Sequence, residues 1–209
     1  MQQLFSGALR FKDEVGKAYP DWEEKRLGEV AIFRRGSFPQ PYGLSKWYDE
    51  LNGMPFVQVF DVDSNFKLKP TTKQKISDIA KPKSVFVEKG TIVLTIQGSI
   101  GRIAITQYDC YVDRTLLVFQ SFIENVDVKF FAYVVYLLFD IEKRKAPGGT
   151  IKTITKDKLK DFKISLPSLS EQIKIANSLS SIDKKKETIT TQITKTQTFK
   201  KGLLQQMFV

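Results

Sequence analysis

The residues able to do chemistry are few, and their types exclude most of it. The chain of 209 residues has no histidine, which removes imidazole bases and imidazole metal ligands together, and its one cysteine, Cys110, cannot build a zinc site. No G-x-x-x-x-G-K-[ST] phosphate loop occurs, and Gly98-Ser99-Ile100-Gly101 is too short and too poor in glycine to replace one. Asp21, Glu23 and Glu24 with Lys25 have the composition of a nuclease cluster, but they are neighbours in sequence rather than residues gathered from separate strands, so they read as a solvated loop. An Asn-Pro-Pro-aromatic tetrapeptide, the signature of adenine-methylating sites, is absent. The chemistry this protein serves is expected on another chain. What remains is charge: 33 Lys and Arg against 23 Asp and Glu, net +10, which favours a polyanion such as nucleic acid or an anionic membrane surface.

The elements that must position such a surface are mostly strands. Phe56-Val57-Gln58-Val59-Phe60, Ser84-Val85-Phe86-Val87, Thr91-Ile92-Val93-Leu94-Thr95-Ile96, Ile103-Ala104-Ile105 and Thr115-Leu116-Leu117-Val118-Phe119 are short, β-branched or aromatic, and bordered by Gly90, Gly98, Gly101 and Asp109. Tyr19-Pro20-Asp21-Trp22 marks the turn into the globular part, with Leu27, Val30 and Ile32 as first apolar anchors. From 128 to about 145 the period lengthens to that of a helix carrying Phe131, Val135, Leu138 and Ile141 on one face, stopped by Pro147-Gly148-Gly149. A short turn at 156–159 leads into the strand-like Phe162-Lys163-Ile164-Ser165-Leu166. With 42% apolar residues and 16 Phe, the core is expected to be sizeable. No apolar run approaches the roughly 18 residues of a membrane span. The segment 130–141 is interrupted by Asp140, the start lacks a long apolar leader, and one cysteine fits a reducing compartment. The expectation is a cytoplasmic protein without a membrane partner.

Beyond Pro167 the character changes. Ser168-Leu169-Ser170-Glu171 has the spacing of a capping box, and no proline follows it. Ile175, Leu179, Ile182, Ile189, Ile193, Leu203 and Met207 fit one four-three register, with Lys186, Thr196 and Lys200 in the remaining seam positions. This predicts a coiled-coil helix of roughly 55 Å whose polar seam positions fix its register. Such a row of Ile and Leu needs a partner. Met1-Gln2-Gln3-Leu4-Phe5 reappears as Leu204-Gln205-Gln206-Met207-Phe208 with Leu and Met exchanged, which reads as one unit cut from a tandem repeat, or as chains that pair.

These segments together resemble one half of a DNA-specificity (S) subunit of a Type I restriction-modification enzyme. Tyr19-Pro20-Asp21-Trp22 with Leu27-Gly28-Glu29-Val30 is similar to the opening of a target recognition domain, Thr95-Ile96-Gln97-Gly98-Ser99-Ile100-Gly101-Arg102 to its central glycine turn, and Gly149-Thr150-Ile151 with Ile154 to its closing segment. Leu166-Pro167-Ser168-Leu169-Ser170-Glu171-Gln172-Ile173-Lys174-Ile175 resembles the Leu-Pro-x-Leu-x-Glu-Gln-x-x-Ile start of the family's conserved helix, and Gly202-Leu203-Leu204-Gln205-Gln206-Met207-Phe208 its end. The family carries two recognition domains and two helices in a circular arrangement, and this chain departs from it in holding one of each. A natural half-subunit, a product of gene truncation or rearrangement, and a deliberately shortened chain all fit that departure.

The resemblance implies an α+β fold: a stub at 1–17, a target recognition domain with a mixed sheet and flanking helices at 18–167, and a long helix at 168–209 for dimerisation and methyltransferase docking. It implies a non-catalytic subunit that directs methyltransferase (M) and restriction (R) subunits to a split site on double-stranded DNA, acting as a homodimer or with another S half. S-adenosylmethionine, ATP and Mg would sit on those partners, and no cofactor or metal on this chain. A coiled-coil scaffold without DNA, or a stand-alone DNA-modifying enzyme, are the competing classes. For base readout the expectation falls on Gln58, Gln97, Ser99, Arg102 and Arg114, because Gln pairs bidentately with adenine and Arg with guanine. Arg34, Arg35, Lys145, Lys152 and Lys156 are expected on phosphate.

Overall fold

The computed structural model describes residues 2–63, 65–145 and 154–207. Two four-stranded sheets lie face to face. The first holds β2 (Ala31–Arg35), β9 (Leu116–Phe122), β6 (Ile92–Thr95) and β7 (Ile103–Ile105) in that order, all antiparallel. The second runs β4 (Gln74–Ile76), β3 (Met54–Val57), β8 (Cys110–Val112) and β5 (Val85–Val87), with β3 and β8 parallel. Val93, Ala104, Leu116 and Val118 of the first sheet meet Val57, Val85, Val87, Cys110 and Val112 of the second. All four residues of β6 are buried, as expected of a strand covered on both faces.

The other face of the first sheet carries the main core. Ile92, Leu94, Ile103, Leu117 and Phe119 cluster there with Phe130, Phe131, Val135 and Phe139 of α3 (Val128–Lys145). Phe131 sits edge-on to both Phe119 and Phe122, at 5.2 and 4.9 Å between ring centroids. The helix buries a wider face than the expected four-residue stripe: Phe130, Ala132, Tyr133, Val134 and Phe139 are also inside, while Ile141 is exposed. Outside the second sheet, Phe38, Trp47, Phe56, Ile76 and Ala80 form a smaller cluster under the loops of residues 36–50. A separate pair, β1 (Glu23–Arg26) with β10 (Lys163–Leu166), ties the start of the domain to its end; α2 (Leu27–Val30) and α4 (Lys156–Lys160) pack beside it.

Local chemistry explains where expectation and structure differ. The strand expected through Phe60 stops at Val57, because the Asp61 carboxylate accepts from the Gln58 and Lys73 N–H groups at 2.9 and 3.1 Å and folds Val59–Asp61 into a 3-10 turn. Ile32 is exposed, since Ala31 and Phe33 take the inward positions of β2. Glu23 and Glu24 belong to β1, where Lys163 pairs with Glu24 and Lys25 with Glu124. The helix stop at Pro147-Gly148-Gly149 lies outside the described residues.

The long helix α5 (Leu169–Met207) begins in the core and ends outside it. Ile175 and Leu179, expected in the coiled-coil seam, are instead 1% and 5% exposed, packed with Ala176 and Leu4 against the domain. The exposed part of that register therefore starts at Ile182. The capping box is also replaced. Glu171, fully buried, accepts from Arg10 Nε at 3.2 Å, Arg10 Nη2 at 2.8 Å and Trp22 Nε1 at 3.0 Å, while the buried Ser168 hydroxyl has no partner. Gln172 donates to the Pro167 carbonyl at 2.9 Å and accepts from the Asp127 N–H at 3.0 Å. The Glu-Gln pair thus fastens three segments to the helix start. The stub joins this assembly through α1 (Gln2–Phe5), whose Phe5 ring lies 5.6 Å from Phe130.

Candidate functional site

Strand direction gathers the expected reading residues at one end of the two sheets. The parallel strands β3 and β8 both finish there, delivering Gln58 and Asp113, and β2 finishes there with Arg34 and Arg35 opposite Val118 and Leu117. β6 leaves at the same end into Gln97, and β9 begins there after Arg114 and Thr115. Gly36 closes the corner: a Cβ at that position would stand 2.3 Å from the Asp113 carbonyl oxygen and 2.4 Å from that of Val112. No larger residue fits that approach.

Between these strand ends is a cavity of about 270 Å³ lined by Gln58, Gln97, Asp113 and Arg114, with Tyr42, Val59, Phe60 and Thr115. Three of the five expected base-reading residues thus share one cavity. Gln58 is buried, and its Nε2 donates to the Tyr42 hydroxyl at 2.5 Å. Asp113 is buried too; its Oδ2 accepts from Thr115 Oγ1 at 2.7 Å. Gln58 Oε1 and Asp113 Oδ1 have no partner, leaving two buried acceptors beside one hollow. Burial, and then the negative charge of Asp113, push the Tyr42 phenol up to about 12, so it is a neutral hydroxyl at physiological pH. The Arg114 guanidinium lies 5.2 Å from the centre of the Tyr42 ring.

Ser99 and Arg102 stand on the adjoining turn between β6 and β7. Thr95 Oγ1 holds that turn, donating to the Ser99 carbonyl and accepting from the Arg102 N–H at 2.9 Å. Gly101, at φ +84°, backs onto α3; a Cβ there would lie 3.0 Å from Phe139 Cβ. The Arg102 side chain is exposed and its Nη1 reaches only the Val62 carbonyl, at 3.5 Å. Ser99 and Arg102 are thus on the same end of the sheets but outside the cavity. Of the expected phosphate contacts, Arg34 and Arg35 are exposed on this end, and Lys145, near the end of α3, is paired with Glu142 at 3.1 Å. Lys156 opens α4, which packs on α2 at the start of β2, away from Arg35. Lys152 lies outside the described residues.

Sequence reasoning missed Tyr42 and Asp113. Their signals were present: an aromatic inside the turn-forming Pro39-Gln40-Pro41-Tyr42-Gly43, and an acid-base pair, Asp113-Arg114, between two strands. Among the described residues no group of His, Cys, Asp and Glu could hold a metal ion. No described helix is long and apolar enough to cross a membrane.

A family model described as Type I restriction modification DNA specificity domain matches residues 19–196. The chain belongs to that family. The specificity-domain chain is 32% identical over 175 residues to the putative type I restriction enzyme MjaX specificity subunit of Methanocaldococcus jannaschii, covering 82% of this chain and 39% of the relative. It is 34% identical over 116 residues to the putative specificity subunit S.HindORF215P of Haemophilus influenzae, covering 54% and 28%. Among solved structures it resembles the HsdS subunit from Thermoanaerobacter tengcongensis, with a TM-score of 0.61, 26% identity, and coverage of 79% and 38%. The Type I S subunit from M. genitalium, at a TM-score of 0.58 and 17% identity over 88% of this chain and 43% of that one, shares the fold. That fold is α+β with a long C-terminal helix. The specificity-domain chain spans less than half the length of each of these relatives.

Proposed function

We propose that the chain is the sequence-reading, non-catalytic part of a Type I restriction-modification complex, working in the cytoplasm on double-stranded DNA. The observation that carries this is the convergence of Arg35, Gln58, Gln97, Ser99, Arg102 and Arg114 on one end of the paired sheets. The Gln58, Gln97, Arg102 and Arg114 side chains there match the acceptor and donor edges of guanine and adenine, and Arg34 and Arg35 beside them serve as phosphate contacts. Methyl transfer and cleavage belong to M and R subunits, which supply S-adenosylmethionine, ATP and Mg.

A homodimer through α5 fits the remaining surface. Ile182, Ile189, Ile193 and Leu203 are 59%, 46%, 52% and 45% exposed in one register. The helix is also intrinsically weak there: Thr188, Thr190, Thr191, Thr194, Thr196 and Thr198 each donate back to the carbonyl four residues earlier. Such threonines favour helix poorly, so a second helix on the seam supplies the packing that keeps it formed. Antiparallel pairing would place two recognition domains at opposite ends and read a symmetric split site. M subunits would dock on the same helices.

DNA binding measured across salt concentrations, with and without M subunits, tests the reading. The expected result is preference for one sequence over bulk DNA, with log affinity falling linearly against log salt by about 0.9 per phosphate contact. Assembly through the helix with no DNA preference would instead mark a scaffold, and overturn the reading.

A further inference from the structure

Arg114 occupies an unusual position for a surface arginine. It is exposed, and among the described residues its guanidinium has no carboxylate partner and no hydrogen bond. Its one recorded contact is the Tyr42 ring. Tyr42 is fixed from two sides, by the Phe38 ring at 5.1 Å and by the Gln58 amide on its hydroxyl. Gln58 is itself anchored, through its N–H on the buried Asp61 carboxylate at 2.9 Å. A chain of contacts from the core thus ends on an aromatic face under a cation whose donors are unspent. A guanidinium attracted to a ring face through its charge keeps its N–H donors free for an outside acceptor.

We propose that Arg114 reads a guanine of the target and that Tyr42 is the residue that aims it, a specificity-determining positioning residue. Guanine is the base whose major-groove edge offers two adjacent acceptors, O6 and N7, to a donor-only fork. Held over the Tyr42 ring at 5.2 Å, Arg114 loses less side-chain freedom when it makes that bidentate contact, which keeps discrimination from being spent on ordering. A phosphate contact would need no such aim. This inference rests on the DNA-reading function proposed above.

The test is selection of bound sequences from a randomised duplex library by the full 209-residue chain, wild type and variants. Arg114→Ala should lower preference for guanine at one position by roughly 5- to 150-fold and leave the other positions unchanged. Arg114→Lys, which keeps the charge but not the fork, should relax the same position. Tyr42→Leu should relax that position too, with no added effect in the double variant Tyr42→Leu/Arg114→Ala. Tyr42→Phe, which keeps the ring and removes the hydroxyl, should retain the guanine preference. If Arg114→Lys keeps the wild-type profile, or Arg114→Ala weakens all sequences evenly, Arg114 holds phosphate and the proposal fails. Tyr42→Leu leaving the profile unchanged, or altering a different position, removes Tyr42 from the role. A wild-type chain that enriches no sequence would overturn the DNA-reading function itself and the inference with it.

Discussion

Ser168 and Glu171 have the spacing of a capping box, and the structure gives them unequal weights that a stability measurement can separate. Glu171 is fully buried and accepts three charge-assisted hydrogen bonds, two from Arg10 and one from the Trp22 indole. Glu171→Ala removes all three and leaves the Trp22 N–H unpaired. Breaking a fully buried ion pair costs about 3–5 kcal/mol, but Arg10 is about a quarter exposed and rehydrates, so the expected loss is nearer about 2–3 kcal/mol. For a chain of this size that lowers the melting temperature by roughly 4–12 °C. Ser168→Ala removes a hydroxyl without a partner, and the expected change is within about 0.5 kcal/mol. A working capping box would instead make Ser168→Ala cost about 1 kcal/mol. Urea unfolding followed by circular dichroism decides between them, at one fixed protein concentration because self-association shifts apparent stability. A loss of about 1 kcal/mol for Ser168→Ala with Glu171→Ala near wild type would instead assign the helix start to a working capping box.

Ile182→Asp and Ile189→Asp each place an unpaired charge in the exposed seam and should weaken dimerisation by more than about tenfold in sedimentation equilibrium, leaving the domain folded; an unchanged dimer would reject the seam. Burial, reinforced by Asp109, pushes the Cys110 thiol from 9.0 up to about 12, and Tyr42, Tyr108 and Tyr133 rise from 10.0 to about 12, mainly by burial. Each group binds its proton more tightly folded than unfolded, so this stability is intact below about pH 9 and lost as pH rises through 12. Alkaline unfolding curves should show that window, and Cys110→Ala should delay its onset to about pH 10; stability rising between pH 9 and 12 would contradict the assignment. The purified chain alone should transfer no radiolabelled methyl group from S-adenosylmethionine to DNA, and measurable transfer would show an active site on this chain.

What the sequence made legible follows from the range of the interactions involved. Periodicity alone marks α3 and α5, because 3.6-residue spacing is a local property that survives any tertiary context. β1, β2, β4 and β8 were missed because Glu-Glu-Lys-Arg, Ala-Ile-Phe-Arg-Arg, Gln-Lys-Ile and Cys-Tyr-Val owe their strand state to partners at positions 163–166, 117–122, 54–56 and 85–87 rather than to their own pattern. Ile175 and Leu179 show the opposite error. Their register continues into Ile182 and Ile189 without a break, so only the fold reveals that the first two turn onto α3 and the others away from it. Gln58, Gln97 and Arg114 were legible as residue types at strand ends, but the parallel pairing of β3 with β8 that brings them to one cavity was not. Nor was the use of Glu171, since its partners Arg10 and Trp22 are 161 and 149 positions away.

Whether one end of the paired sheets chooses the DNA sequence is decided by exchanging residues 97–102 for those of a relative with a different target and mapping methylation in the complex reconstituted with M subunits. Methylation should move to sites changed at one or two base positions of the half-site, with overall affinity retained. The same sites methylated at uniformly lower efficiency would contradict it, and would make this turn a backbone contact.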